Sequence, residues 1–179
     1  ASPERPLRSA LDRADACSRG MAHAIDKILL RLGGAAVSTE EQPAEILPYK
    51  VVRGFIAQGS AVVSLTTADG SQGLLVVGPG LVSYVLDRRM GAPIPRGGER
   101  QETRGDLSAL DRRLLRPLME SLAATLGEQW CDDENVFTAG EVFADAADIP
   151  MMAQFEPMLQ LSLAVAPTGA PGDVVLFAL

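Results

Sequence analysis

One histidine, two cysteines and a few clustered carboxylates are the residues of this chain that could do chemistry. His23 stands six residues after Cys17 and three before Asp26 on a helix-like segment. A transition-metal set would need a second imidazole or a paired thiolate at ligand spacing, and neither is near. A Ser-His-Asp relay would have to use His23 as its base, yet the sequence has no nucleophile-elbow motif. The run Asp132-Asp133-Glu134 could collect a cation, but three acids just past a helix read as a solvated connector. Cys17 and Cys131 show no C-x-x-C spacing, and the opening Ala1-Ser-Pro-Glu-Arg-Pro6 has no apolar segment of a secretory leader. Both are expected to be reduced thiols in a soluble cytoplasmic domain. Neither a metal nor a cofactor is expected.

Composition agrees with a packed domain. The 179 residues suggest one domain spanning 1–179, and 47% apolar residues are ample for its core. No apolar run reaches the roughly eighteen residues of a membrane span, so no transmembrane segment is expected. Sixteen basic residues against 23 acidic ones give a net charge of −7, a poor surface for nucleic acid. Fourteen of the basic residues are arginine.

The elements fall into two similar halves, about 8–90 and 106–179, joined by a loop at 91–105. Leu11, Ala14, Met21, Ile25, Ile28, Leu29 and Leu32 recur at three- and four-residue steps, predicting a helix from Arg8 to Leu32 that Gly33-Gly34 stops. A polar linker, Ser38–Pro43, leads to β-like Ile46–Phe55, then to strands Ala61–Thr67 and Leu74–Val77 around the turn Asp69-Gly70. Gly78-Pro79-Gly80 precedes a short helix, Leu81–Met90. The second half predicts a helix from Asp106 to Leu126, with Leu107, Leu110, Leu114, Leu118, Leu122 and Leu126 on one stripe and a capping box at Ser108-x-x-Asp111. Pro117 lies inside it and predicts a kink, or else a helix ending near Arg116 and a second beginning at Pro117. Strands follow at Val136–Phe143, Phe155–Val165 and Asp173–Phe177, the last two joined by the turn Pro167–Gly172. Trp130 is expected to anchor the helix end on the sheet, and Met151-Met152 to pack in a core or loop. Two helix-plus-three-strand repeats can bury their sheet faces only against each other. The expected class is therefore a pseudo-twofold α/β domain, with Leu110, Leu114, Leu118 and Leu122 buried against the sheet.

The order of these landmarks resembles the middle domain of the flagellar motor switch family FliM, within the wider group of CheC-type chemotaxis phosphatases. The residues that carry the resemblance are Asp69–Val77, Leu81–Gly91 and Leu107–Leu115, running on to Gly127-Glu-Gln-Trp130. It implies a CheC/FliM-like α/β/α sandwich and a scaffold of the motor's C-ring, peripheral to the inner membrane at the basal body. It also implies partners: the rotor protein FliG, neighbouring copies in a ring, and, through segments outside this domain, FliN and the phosphorylated response regulator. No N-terminal regulator-binding segment and no C-terminal FliN-like domain is recognised in the sequence. The contact with FliG maps to Arg88, Met90, Gly91, Ala92, Pro93, Ile94, Arg96 and Arg100.

Two departures bear on that reading. Where the family's loop carries Gly-Gly-x-Gly, this chain has Gly91-Ala92-Pro93-Ile94. Pro93 fixes φ near −65° and removes a donor where glycine would leave the backbone free. Gly97-Gly98 is followed by Glu99-Arg100 and is not a displaced copy. Arg96, Arg100 and Arg104 make the loop basic, which suits either a solvated connector or a docking surface for an acidic patch. The phosphatase set of the wider group, an Asp or Ser followed by Glu four residues on and Asn three further, is missing. From Asp111 those positions hold Leu115 and Leu118, and from Ser108 they hold Arg112 and Leu115. From Asp12 they hold Ala16 and Arg19, from Asp15 they hold Arg19 and Ala22, and the single Asn is Asn135. The expectation is a non-enzymatic switch scaffold. The competing readings are an adaptor of a type III secretion sorting platform and a CheC-like regulatory binding module without phosphatase activity.

Overall fold

Strands with apolar residues at both odd and even positions need cover on both faces, and the computed structural model supplies it. Residues 4–33, 36–91, 105–130, 136–149, 154–168 and 172–179 are described. The order is α1 (Glu4–Gly33), β1 (Val37–Glu41), β2 (Glu45–Pro48), α2 (Tyr49–Gly54), β3 (Ala61–Thr66), β4 (Gln72–Val77) and α3 (Pro79–Arg89). Then come α4 (Ala109–Gln129), β5 (Thr138–Ala139), a 3-10 turn (Ala146–Asp148), β6 (Pro157–Pro167) and β7 (Asp173–Ala178). All pairings are antiparallel, in the order β1-β6-β7-β4-β3-β5, with β2 also paired to β6.

That order maps onto itself when β1, β3 and β4 are exchanged with β5, β6 and β7. The symmetry runs between the central strands β4 and β7, where Leu75 faces Phe177 and Val76 faces Leu176. Each half also lends a strand to the other: β1 pairs with β6, and β5 with β3. On one face Val63, Leu65, Leu75, Val77, Leu163 and Phe177 pack under α1, α3 and α4. On the other, Val62, Leu74, Val76, Leu176 and Ala178 pack with Tyr49 and Val52 of α2, Met158 and Ile149. The result is the expected pseudo-symmetric α/β/α sandwich, thick with helix on one side and thin on the other.

Several local expectations are corrected. The Ser38–Pro43 linker is mostly strand β1. Its polarity misleads because it is an edge strand, fastened to α1 by Thr39 Oγ1 donating to Asp26 Oδ1 (2.6 Å) and by the Ala44 N–H donating to Asp15 Oδ1 (2.8 Å). The β-like run Ile46–Phe55 splits at Pro48 into β2 and α2. The Tyr49 and Lys50 N–H groups donate to the carbonyls of Glu156 and Gln154 at 2.8 Å each, which turns the chain and lets Tyr49 and Val52, three apart, face the sheet. Val136–Phe143 forms only the two-residue ladder β5. The Gly140 N–H donates to Ser64 O and the Phe143 N–H to Val62 O, a one-residue slip in pairing that marks a bulge. The slip moves the helix-side face from odd Phe137 to even Val142, both buried in the same cluster. Phe155 precedes β6 and is 79% exposed.

Helix α4 is corrected too. It begins at Ala109, not Asp106, because Ser108 is its N-cap: Ser108 Oγ accepts from the Asp111 N–H at 3.1 Å and the Ser108 N–H donates to Asp111 Oδ2 at 3.0 Å. The helix runs through Pro117 as one element, so no second helix starts there. Its buried stripe is Asp111, Leu115, Leu118, Met119, Leu122, Ala123 and Leu126. Leu118 and Leu122 are buried as expected, but Leu110 is 57% exposed and Leu114 only half-buried. The helix packs chiefly on α1 rather than on the sheet. α1 itself buries Ala14, Cys17, Met21, Ile25, Ile28 and Leu29. Asp69-Gly70 makes the expected turn, with Gly70 at φ +87°. Thr168 ties the start of the second turn to β1, its N–H and Oγ1 both donating to Ala36 O.

Candidate partner-contact site

The placement of the candidate contact residues follows from how α3 is held. The six residues Leu81–Leu86 are all buried, so the helix sinks into the core with its N-terminus at the sheet. Gly78, its N-cap, has no side chain to accept the free N–H groups. Asp173, at the start of β7, does so instead: its Oδ2 accepts from the Gly80 N–H at 2.5 Å and its Oδ1 from its neighbour Val174 at 2.8 Å. A Cβ at Gly78 would lie 2.1 Å from that carboxylate, which is why the position has none.

The other end of α3 emerges at the surface. Asp87 and Arg88 are half-buried, while Arg89, Met90 and Gly91 are exposed, Met90 at 48%. The Met90 N–H donates to Leu86 O at 2.9 Å and the Gly91 N–H to Arg88 O at 3.1 Å. Gly91 has φ +82°, the left-handed stop that glycine adopts without strain, and a Cβ there would meet open space. Arg88 lays its guanidinium 5.4 Å over the ring of fully buried Tyr84. Burial pushes the Tyr84 hydroxyl up from its ordinary pKa, against the opposing pull of the Arg88 charge. Arg88, Met90 and Gly91 thus share one helix end. Ala92, Pro93, Ile94, Arg96 and Arg100 lie outside the described residues, as do Gly97, Gly98 and Arg104.

The other chemical candidates have structural duties or lie elsewhere. His23 is exposed on α1, its neighbour Asp26 accepts from Thr39, and Cys17 is buried in the helix-side core. Asp111 is spent on the α4 cap, and the phosphatase positions after it, Leu115 and Leu118, face the core. Asp15 accepts from Ala44. Trp130 ends α4 and packs half-buried against the helix-side core, with Arg13 over its ring. Cys131, Asp132, Asp133, Glu134, Asn135, Met151 and Met152 are outside the described residues. Among the described residues no helix is long and apolar enough to cross a membrane, and no three His, Cys, Asp or Glu side chains converge on a metal-sized site.

The chain matches no protein-family profile and no curated protein. Its fold has solved counterparts. A chain of the FliG–FliM complex from H. pylori superposes with a TM-score of 0.80 at 17% identity, covering 99% of this chain and 93% of that one. The FliM middle domain of Vibrio alginolyticus gives 0.73 at 11% identity, covering 92% of each. The fold is that of the FliM middle domain. A chemotaxis protein CheX from Desulfovibrio desulfuricans gives 0.52 at 11% identity over 90% of this chain and 97% of that one, a weaker likeness of fold.

The sequence did not reveal an apolar surface around α2. Val51 and Phe55 lie four apart on its outer side, 40% and 57% exposed, beside a cleft that Gln160 lines from β6. In the sequence Phe55 closes a β-like run, and nothing there marks it as exposed.

Proposed function

We propose that this domain is a non-enzymatic scaffold of the bacterial flagellar motor switch that contacts the rotor protein FliG through the end of α3 and the loop after it. The observation carrying this is the α3 terminus: a helix buried over six residues delivers an exposed methionine, flanked by Arg88 and Arg89, at the position the resemblance assigns to FliG. The likeness to a chain of the FliG–FliM complex supports it. Ala92, Pro93, Ile94, Arg96 and Arg100 complete the proposed contact, Pro93 giving it a backbone unlike the glycine loop of the family. The domain would sit among copies of itself in a ring at the cytoplasmic side of the inner membrane. Links to FliN and to the phosphorylated response regulator would run through other segments.

The test is capture of FliG by the domain carrying Met90→Glu. Met90 is exposed, so the variant should melt as the parent does while binding is lost. Arg96→Glu with Arg100→Glu should mainly slow association and alter its salt dependence. Retention of FliG by all variants would place the contact elsewhere. The likeness to CheX favours one second reading, a regulatory module that binds a response regulator. Titration with the phosphorylated regulator separates the two, and phosphate release should stay within tenfold of the spontaneous rate, about 1.4 kcal/mol of barrier.

A further inference from the structure

Arg88 and Arg89 are neighbours in the last turn of α3, where a cation suits the negative end of any helix. Their surroundings differ. Arg89 is exposed, whereas Arg88 is half-buried and its Nε and Nη1 atoms are closed off from solvent. Side chains four apart share a helix face, and a long one leans back toward the N-terminus. Arg88 does so, which brings its guanidinium 5.4 Å from the centre of the fully buried Tyr84 ring. A protein arriving at the end of α3 therefore meets Arg89, Met90 and Gly91, but cannot reach two of the three Arg88 nitrogens.

The turn needs such a hold. Unbroken burial stops at Leu86, and helix ends open more readily than packed middles. The exposed Met90 continues from that turn, its N–H donating to Leu86 O. A guanidinium partly desolvated over a buried ring is held more firmly than an exposed pair and is screened less by salt. The Tyr84 hydroxyl oxygen is buried with no hydrogen-bond partner among the described residues, so the position draws on the ring rather than the hydroxyl.

We propose that the two arginines divide the work. Arg88 is a positioning residue that clamps the last turn of α3 onto Tyr84 and so fixes Met90, while Arg89 is the one that meets the partner. The role of Arg89 rests on the end of α3 being the FliG contact; the clamp can be read without any partner.

Amide hydrogen exchange of the free domain tests the clamp. Arg88→Ala should speed exchange at Met90 and Gly91 by at least about tenfold while β4 and α4 exchange as in the parent. Arg89→Ala should change neither. Tyr84→Phe keeps the ring and should behave like the parent, whereas Tyr84→Leu, which keeps only apolar bulk, should match Arg88→Ala. Equal effects of Arg88→Ala and Arg89→Ala, as the helix dipole alone would give, overturn the clamp. Parent-like exchange in Arg88→Ala does so too. Binding kinetics with FliG test the division. Arg88→Ala should speed dissociation and keep the salt dependence of association, and Arg89→Glu should slow association and alter that dependence. The reverse assignment overturns the division. A parent domain that binds no FliG refutes the contact reading, and with it the role of Arg89, whatever exchange shows of the clamp.

Discussion

Arg13 Nη2 donates to the carbonyl oxygen of Trp130 at 2.8 Å while its guanidinium lies 5.1 Å over the Trp130 ring. One side chain of α1 thereby neutralises and covers the end of α4, whose own last turn carries no basic residue. Close packing continues nearby, where a Cβ at Gly20 would collide with the side chain of Gln129. Arg13→Ala should lower stability by about 1 kcal/mol in urea melts, and Arg13→Lys should recover only part of it, since an ammonium lacks the flat fork. An unchanged midpoint for Arg13→Ala would show that the pair contributes nothing.

Asp173 and Gly78 form a second long-range pair, and a double-mutant cycle can read it. Asp173→Ala removes the cap of α3 and should cost about 0.5–2 kcal/mol. Gly78→Ala should cost more in the parent than in Asp173→Ala, because Gly78 has an ordinary φ of −62° and the three atoms nearest a Cβ there all belong to the Asp173 carboxylate. Strict additivity of the two changes would contradict that.

The stripe of α4 makes opposite predictions for neighbouring leucines. Leu115→Ala should cost about 2–5 kcal/mol as a core cavity, since Leu115 is fully buried. Leu110→Ala, at a largely exposed position, should fall within about 0.5 kcal/mol of the parent. Denaturant midpoints for the two variants decide it.

Asp69 ties the β3–β4 turn together. Its carboxylate accepts from the Thr67 hydroxyl and from the Ser71 N–H at 2.9 Å, which lowers its pKa from 3.8 to about 2. A depressed folded-state pKa means that the turn's contribution is complete above pH 3.8 and lost as pH falls through about 2. Carboxyl NMR titration should give that low midpoint, and Thr67→Val should move it back toward 3.8. A parent midpoint already at 3.8 would refute the bond's role.

Elements whose causes are local were readable in the sequence. Ser108 and Asp111 cap α4 within four residues, and α1, β3 and β4 declare themselves by period. β1 and α2 were missed because their causes are distant: Asp15, Asp26 and β6 hold the first, while the carbonyls of Gln154 and Glu156 start the second. The leucine stripe failed on geometry. Steps of four drift about 40° each around a helix, so Leu110 and Leu122 cannot share a face; the mixed steps from Leu115 to Leu126 stay on one. The end of α3 was legible as a candidate contact from the order of landmarks. The α2-side cleft was not, since Glu45, Gln160 and Asp173 come from three separated segments.

The exchange of strands between halves has a consequence for synthesis. The central strand β7 follows all the other strands of the fold in chain order, so β4 lacks one neighbour and β1 lacks β6 until residues 157–178 have been added. Until then β4 keeps one open edge beside the β3–β4 hairpin, and such unpaired apolar edges invite association. Closing the sheet must await contacts between strands far apart in the sequence, which makes slow, all-or-none folding the expected behaviour.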